Sequence, residues 1–305
     1  MYYYTLNEYL KNTFKTKVYK LALHSDATCP NRDGTLGSSG CIFCSGSGSG
    51  DFAEQCNISV TEQINSAKSR VAKKVKSGKY IAYFQSFTAT YAPLEQLRHR
   101  FTEAINHPDI VALSIATRPD CLPPKVLDLL YNLNKIKPVW VELGLQTVHK
   151  PTADYIRRGY ELAVFDKAVA DLQNLRLKVI VHTIIGLPGE SKEMIYETAK
   201  YVGEKHIDGV KFQLLHILKG TDIAKEYNAG KFSLPTLEEY AEIVAECIRL
   251  TPKTTVIHRI TGDGDKKLLI APLWSADKKY VYQHLKDYFT SVDLQQGEHI
   301  KTPEL

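Results

Sequence analysis

Three cysteines crowd into sixteen residues: Cys29, Cys41 and Cys44, in the run Cys29-Pro30-Asn31-Arg32-Asp33-Gly34-Thr35-Leu36-Gly37-Ser38-Ser39-Gly40-Cys41-Ile42-Phe43-Cys44. Thiolates grouped in this way bind a soft metal or an iron–sulfur cluster. A four-iron cubane held by three cysteines has one iron without a protein ligand, and that iron can bind and act on a small molecule. The trio therefore predicts a redox enzyme. A structural zinc is the competing reading. Cys56 follows Cys44 after eleven intervening residues, and Cys29, Cys41, Cys44 and Cys56 would make a tetrahedral thiolate set. Otherwise Cys56, Cys121 and Cys247 read as small hydrophobes.

Elements must place such a loop, and composition bounds them. The 305 residues suffice for one large α/β domain or two smaller ones. A hydrophobic content of 44% and a charged content of 24% are those of a soluble globular protein. Six cysteines are too few for a disulfide scaffold at this length. The N-terminal run Met1-Tyr2-Tyr3-Tyr4-Thr5-Leu6-Asn7-Glu8 has no apolar signal core, and no segment is long and apolar enough to cross a bilayer. These features predict a cytoplasmic protein with no membrane partner, where clustered thiols do metal or redox work. A net charge of +5 is compatible with nucleic acid without requiring it.

Apolar β-type runs recur at 18–23, 80–84, 110–115, 139–145, 179–185, 210–215 and 255–260, with amphipathic segments at 60–76, 94–105, 125–133, 162–175, 193–204 and 237–248. This alternation predicts βαβ units around a parallel sheet, either a closed or partly open barrel or a doubly wound sheet. Ligands then bind at the C-terminal ends of the strands. The unusual residues fall there: the cysteine loop, Gln85-Ser86-Phe87, Thr117-Arg118-Pro119-Asp120, Gln146-Thr147, Gly186-Leu187-Pro188-Gly189-Glu190 and His216.

The cysteine loop with the strand–helix series after it resembles the radical S-adenosylmethionine (SAM) superfamily. Within it, the chain looks like the bacterial branch related to the catalytic subunit of the elongator tRNA-modifying complex. The matching runs are 28–34 and 40–44, Ser114-Ile115-Ala116-Thr117-Arg118-Pro119-Asp120-Cys121-Leu122-Pro123, Val141-Glu142-Leu143-Gly144-Leu145-Gln146-Thr147-Val148-His149, Arg157-Arg158-Gly159 and Ile185-Gly186-Leu187-Pro188-Gly189-Glu190, across roughly residues 1–275. The resemblance implies an α/β fold of the partial or closed (β/α) barrel type at 18–260, with an N-terminal extension at 1–17 and a C-terminal one, 261–305, packing on the barrel. It implies a 4Fe-4S cluster on Cys29, Cys41 and Cys44, and SAM chelated at the open iron and cleaved to a 5′-deoxyadenosyl radical. Cofactor contacts implied for SAM are Gln85 and Ser86, by position only because the family's Gly-Gly-Glu is absent, then Thr117, Gln146 near the ribose, Arg158 at the carboxylate, His182, Gly186 and His216. No acetyltransferase domain follows the barrel, so use of an acetyl donor is not implied. The implied substrate is tRNA, at the side chain on carbon 5 of the wobble uridine, with an electron donor such as flavodoxin or ferredoxin. A small metabolite or a peptide is the alternative substrate, and a zinc-stabilised RNA-binding module the alternative class.

Other residues carry two readings. Glu142 and Arg118 serve a ligand or pair with each other. Gln213 and Gly189 lie near the predicted site or simply end their elements. Lys11, Lys15, Lys17 and Lys20, with Lys68, Arg70, Lys73, Lys74, Lys76 and Lys79, suit an RNA backbone, and Tyr2, Tyr3, Tyr4, Tyr9, Phe14 and Tyr19 suit stacking on unpaired bases. The alternatives are a solvated helix face and an N-terminal helix docking by its aromatics. Residues 46–50 read as a flexible segment rather than a phosphate loop, and 262–265 as a turn rather than a calcium loop.

Overall fold

The computed structural model describes residues 2–48, 53–54, 56–72, 78–262 and 264–300. Lys73, Lys74, Lys76, Asp263 and the 49–50 end of the Gly-Ser run lie outside them. The elements in chain order are α1 (Leu6–Phe14), β1 (Val18–Leu23), α2 (Val60–Val71), β2 (Lys79–Phe84), α3 (Leu94–Asn106), β3 (Ile110–Thr117), α4 (Pro124–Asn134), β4 (Val139–Gln146), α5 (Lys150–Tyr155), α6 (Leu162–Asn174), β5 (Lys178–Ile185), α7 (Lys192–Glu204), β6 (Gly209–Leu214), β7 (Ile217–Leu218), α8 (Asp222–Asn228), α9 (Leu237–Arg249), β8 (Val256–Arg259), β9 (Leu269–Ala271) and α10 (Lys278–Ser291). Boundaries follow local chemistry. Ser59 with Glu62, and Thr236 with Glu239, form reciprocal capping boxes that start α2 and α9.

Seven strands pair in parallel in the order β1-β2-β3-β4-β5-β6-β8. Sequential order rules out the doubly wound alternative, whose strand order reverses at a switch point. The sheet curls into a half-barrel, with β1 and β8 as its two ends. The free edge of β8 is covered: Ile257 N–H donates to the Tyr4 carbonyl at 2.9 Å, and the Gln296 side chain accepts from Tyr4 N–H at 2.6 Å. A two-stranded antiparallel sheet, β7 with β9, was not legible in the sequence because its strands hold two and three residues.

Alternation along each strand sorts side chains to two faces. On β4, Val139, Val141, Leu143 and Leu145 join the large core beneath the helices. Trp140, Glu142, Gly144 and Gln146 take the other parity and face the barrel interior, which is layered. Its lowest layer is apolar: Leu10 of α1 packs with Ile81, Ala112, Trp140 and Ile180, and Leu6, Tyr9 and Phe14 pack against them. α1 is thus a plug in the barrel floor. The N-terminal aromatics are committed to packing. Tyr2 and Tyr3 lie edge-on to Phe289 at 5.9 and 6.2 Å, and Tyr9 to Trp140 at 5.8 Å, so base stacking is corrected to packing for these three.

Leu10 is 5% exposed. Its replacement by alanine is expected to destabilise the protein by about 2–5 kcal/mol, read as a lowered denaturation midpoint. An unchanged midpoint would mean that α1 is not part of the cooperative core.

Candidate active site

The long insert between Cys29 and Cys41 folds back on itself. Arg32 N–H donates to the Cys29 carbonyl at 2.8 Å, Leu36 N–H to the Pro30 carbonyl at 2.8 Å and Gly40 N–H to the Asn31 carbonyl at 2.7 Å. Those turns return Cys41 to the neighbourhood of Cys29. Gly40 sits at φ +74°, where a Cβ would meet Arg32 Nε at 2.8 Å, so the turn needs glycine. Arg32 in turn donates to the Ser45 carbonyl at 2.6 Å and the Cys44 carbonyl at 3.2 Å. Asn31 donates to Cys41 Sγ at 3.4 Å and to the Arg157 carbonyl at 2.7 Å. Ile42, between the second and third cysteines, is buried with Ile156, Ile184, Leu187 and Ile223. Burying that side chain contributes roughly 1.5–3 kcal/mol toward anchoring the loop on the barrel rim.

Cys29, Cys41 and Cys44 line a cavity at the C-terminal ends of the strands that is partly open to solvent. Burial, and then the neighbouring Cys44, push the Cys41 thiol up to about 12. A soft metal centre displaces such a proton and keeps the thiolate. The three thiols line one cavity, with Asn31 donating to Cys41 Sγ and Arg32 holding the Cys44 and Ser45 carbonyls. No group of His, Cys, Asp and Glu among the described residues is drawn together as for a single metal ion, and three thiolates are the donor set of a cluster with one open iron. Cys56 is exposed and is not among the residues lining the cavity, so the four-thiolate zinc reading loses its fourth ligand.

Gln85, Thr117, Gln146, Arg158 and His182 line the same cavity, as do Gln213 and Arg118. Thr117 Oγ1 is 2.5 Å from Thr90 Oγ1. Gln146 ends β4 in the left-handed region at φ +65°, and its amide faces the Gly144 and Leu145 carbonyls at 2.8 Å with the nitrogen oriented to donate. A Cβ on Gly144 would strike that amide at 2.5 Å. Arg158, 4% exposed, spends its guanidinium on the chain: Nη1 donates to the Thr147 and Leu145 carbonyls at 2.6 and 3.2 Å, and Nε and Nη2 donate to the Tyr160 carbonyl at 3.3 and 3.0 Å. A buried guanidinium needs such partners, and here they leave little of the fork for a ligand carboxylate.

Three expected residues are not brought to the cavity wall. Ser86 is buried, its Oγ without a partner. Gly186 takes φ +91° under Pro235, whose Cδ would lie 3.2 Å from an added Cβ; the glycine serves the turn. His216 lies under Gly262 and Gly264, close enough that a Cβ on Gly262 would meet its ring at 2.6 Å. Burial lowers its imidazole to about 4.

Below the cysteines the interior carries a charged layer. Glu142 Oε1 accepts from Lys20 Nζ at 2.5 Å and from Ser114; Oε2 accepts from Lys211 Nζ and lies 2.7 Å from His182 Nε2. Lys211 also donates to Tyr83 Oη at 3.1 Å. Burial alone would raise the Glu142 carboxyl, but Lys20 and Lys211 hold it well below the usual range. Burial, then Lys211, lower His182 to about 4. Glu142 and Arg118 therefore do not pair with each other. Arg118 forks onto Asp120 at 2.9 and 2.7 Å. Lys20 leaves the list of RNA-facing cations, while Lys11, Lys15 and Lys17 are exposed and Lys68 is paired with Asp109 at 2.5 Å. Sequence reasoning missed Lys211 and Tyr83. The available signal was a lysine inside an otherwise apolar strand, as in Gly209-Val210-Lys211-Phe212.

Known proteins resemble this chain in sequence and fold. The Radical SAM superfamily model matches residues 29–202, and the Radical_SAM C-terminal domain model matches residues 207–290. YtqA of Bacillus subtilis is 46% identical over 276 residues, covering 90% of this chain and 86% of its own. A tRNA uridine(34) acetyltransferase of Methanocaldococcus jannaschii is 30% identical over 156 residues, 50% of this chain and 28% of that protein. Among solved structures, the archaeal Methanocaldococcus infernus Elp3 with an N-terminal deletion superposes with a TM-score of 0.68 at 20% identity, covering 92% of this chain and 64% of that one. The half-barrel, the three-cysteine wall and these matches agree: the chain belongs to the radical SAM superfamily, whose members use a 4Fe-4S cluster and SAM.

Proposed function

We propose that the protein is a radical SAM enzyme that modifies tRNA, at the carbon-5 side chain of the wobble uridine. The observation that carries this reading is the shared stretch with a tRNA uridine(34) acetyltransferase. Lys11, Lys15 and Lys17 are exposed cations, at the floor end of the barrel away from the cysteine rim. An electron donor such as flavodoxin or ferredoxin would serve the cluster. A bound cluster would supply the electron for reductive cleavage of SAM to a carbon-centred radical. The chain's own residues do the rest. Cys29, Cys41 and Cys44 would hold the metal, Gln85, Thr117, Gln146 and His182 would face the nucleoside and methionine portions from the wall they line, and Arg158 fixes the end of β4 that carries Gln146. The half-barrel walls and the α1 plug keep water from below the reacting atoms.

After anaerobic reconstitution, SAM plus dithionite is expected to yield 5′-deoxyadenosine; none from cluster-loaded protein rejects the enzyme assignment. Comparing tRNA nucleosides from deletion and parent cells tests the substrate. Loss or accumulation of a wobble-uridine derivative supports tRNA. An unchanged profile transfers the reading to a small metabolite or peptide, which the depth of the charged layer favours as second choice.

A further inference from the structure

Burying Lys20, Glu142 and Lys211 in one layer costs several kcal/mol per ion relative to water, and apolar residues of similar volume would do as well or better for stability. Such a layer inside a cavity is therefore a functional-site candidate. With Lys211 protonated its charges do not cancel: two ammonium groups face one carboxylate. Glu142 accepts from Lys20, Ser114 and Lys211 and is bonded to His182, so the carboxylate is saturated by donors and set against two amines. Lys211 has two of its three N–H directions committed, to Glu142 and Tyr83, and it lines the cavity. Among the described lining residues Glu142 is the one carboxylate, and Arg32, Arg118, Arg158, Lys211 and Arg259 are the cations, Arg118 being paired with Asp120.

We infer that this layer is an anion site for the terminal carboxylate of a small second ligand, and that Lys211 takes up one proton from solvent when the carboxylate binds. Shape selects the ligand class. The layer rests on the apolar plug of Leu10, Ile81, Ala112, Trp140 and Ile180, so the site is blind at its base. A blind site admits the end of a molecule; a backbone phosphodiester, flanked by nucleosides on both sides, cannot reach it. Cys29, Cys41 and Cys44 would hold the cluster and SAM from the rim, while Lys211, Glu142 and Tyr83 line the same cavity deeper in the barrel.

The groups facing Lys211 set its protonation. Burial first, opposed by Glu142 and reinforced by Lys20 and Arg259, pushes Lys211 down to about 7. Lys20 on β1 is lowered too, again by burial against the pull of Glu142. Tyr83 on β2 is raised by burial and stays protonated. On β5 and β8, His182 and His258 are lowered by burial and stay neutral near pH 7. Ser114 on β3 does not ionise. An incoming carboxylate restores the charge that burial removes from Lys211.

Equilibrium dialysis of radiolabelled acetate against reconstituted protein saturated with SAM tests this, because SAM then fills its own carboxylate site. One acetate per chain is expected, with apparent affinity falling about tenfold from pH 6 to pH 8 as the protonated fraction of Lys211 drops. Lys211→Arg, which cannot lose its proton, keeps binding and loses the pH dependence. Lys211→Met loses at least about tenfold in affinity, as truncating one partner of a buried charge pair does. Circular dichroism establishes that both variants are folded. Should Lys211→Met unfold, the Lys211→Arg pH profile decides. Parent protein that cleaves SAM but binds no acetate overturns the inference and leaves the radical assignment standing. Acetate binding with the same pH profile in Lys211→Arg also overturns it, as does inorganic phosphate competing as strongly as acetate.

Discussion

Alanine at Cys29, Cys41 or Cys44 is expected to remove iron and sulfide from the purified protein and to bring deoxyadenosine formation to background, while Cys56→Ser leaves both at the parent level. The argument is geometric. The three cysteines share the cavity wall, whereas Cys56 is exposed and outside it. A cluster on three thiolates has no spare ligand, so losing any one leaves two irons uncoordinated by protein, or one exchanged for solvent, and assembly fails. Folding should survive each change. The loop is held by its own backbone bonds, by Arg32 and by Ile42 in the core, none of which needs a thiol. Iron and sulfide analysis, circular dichroism and product chromatography separate the outcomes. Cys56→Ser losing iron as completely as Cys41→Ala would return the fourth cysteine to the site and close the corner that SAM needs.

Strand placement was readable in the sequence because each of the seven strands is an apolar run bounded by turn residues, and the cysteine loop announced itself by residue type. The role of a polar residue was readable only where its partner is local. Arg118 finds Asp120 two positions away, yet it was set against Glu142, because nothing in one strand shows which way a neighbouring strand's side chains point. Lys20 is the clearest case. Sequence patterning grouped it with Lys11, Lys15 and Lys17, but the parity of β1 turns it inward, 122 residues from its partner Glu142. Gly186 and His216 went astray for a related reason. A glycine at positive φ reads the same whether ligand or Pro235 covers it, and the glycines against His216, Gly262 and Gly264, lie far along the chain. Register and parity, which are properties of the assembled sheet, decide these assignments.

Those same charges make Glu142→Ala the most damaging substitution away from the cysteines, with an expected loss of about 3–5 kcal/mol at pH 6, because two buried ammonium groups are left without their carboxylate. The pH dependence has a definite sign. Glu142 raises the folded-state pKa of Lys211 and Lys20 above what burial alone would give. Both folded-state values still lie below the ordinary lysine value, so each buried amine costs stability when charged; Glu142 reduces that cost while the amine is protonated, and the benefit is lost as pH rises through the folded-state value. For Lys211 that point is about 7, so the deficit of Glu142→Ala should be largest at pH 6 and smaller at pH 9, where the amine is already neutral in the parent. Glu142 itself is held well below its usual range, so its ionisation does not end the effect until the solution is strongly acidic. Denaturant melts of parent and variant at the two pH values measure the change; a deficit that grows with pH would refute the buried-pair account. The combined variant Lys20→Met, Glu142→Leu, Lys211→Met supplies the contrast. Replacing all three ions by apolar groups of similar volume is expected to leave stability unchanged or raised by about 1–4 kcal/mol, while acetate binding disappears. A stable protein that has lost the anion site would mean that the layer exists for ligand binding, and that the fold bears its cost.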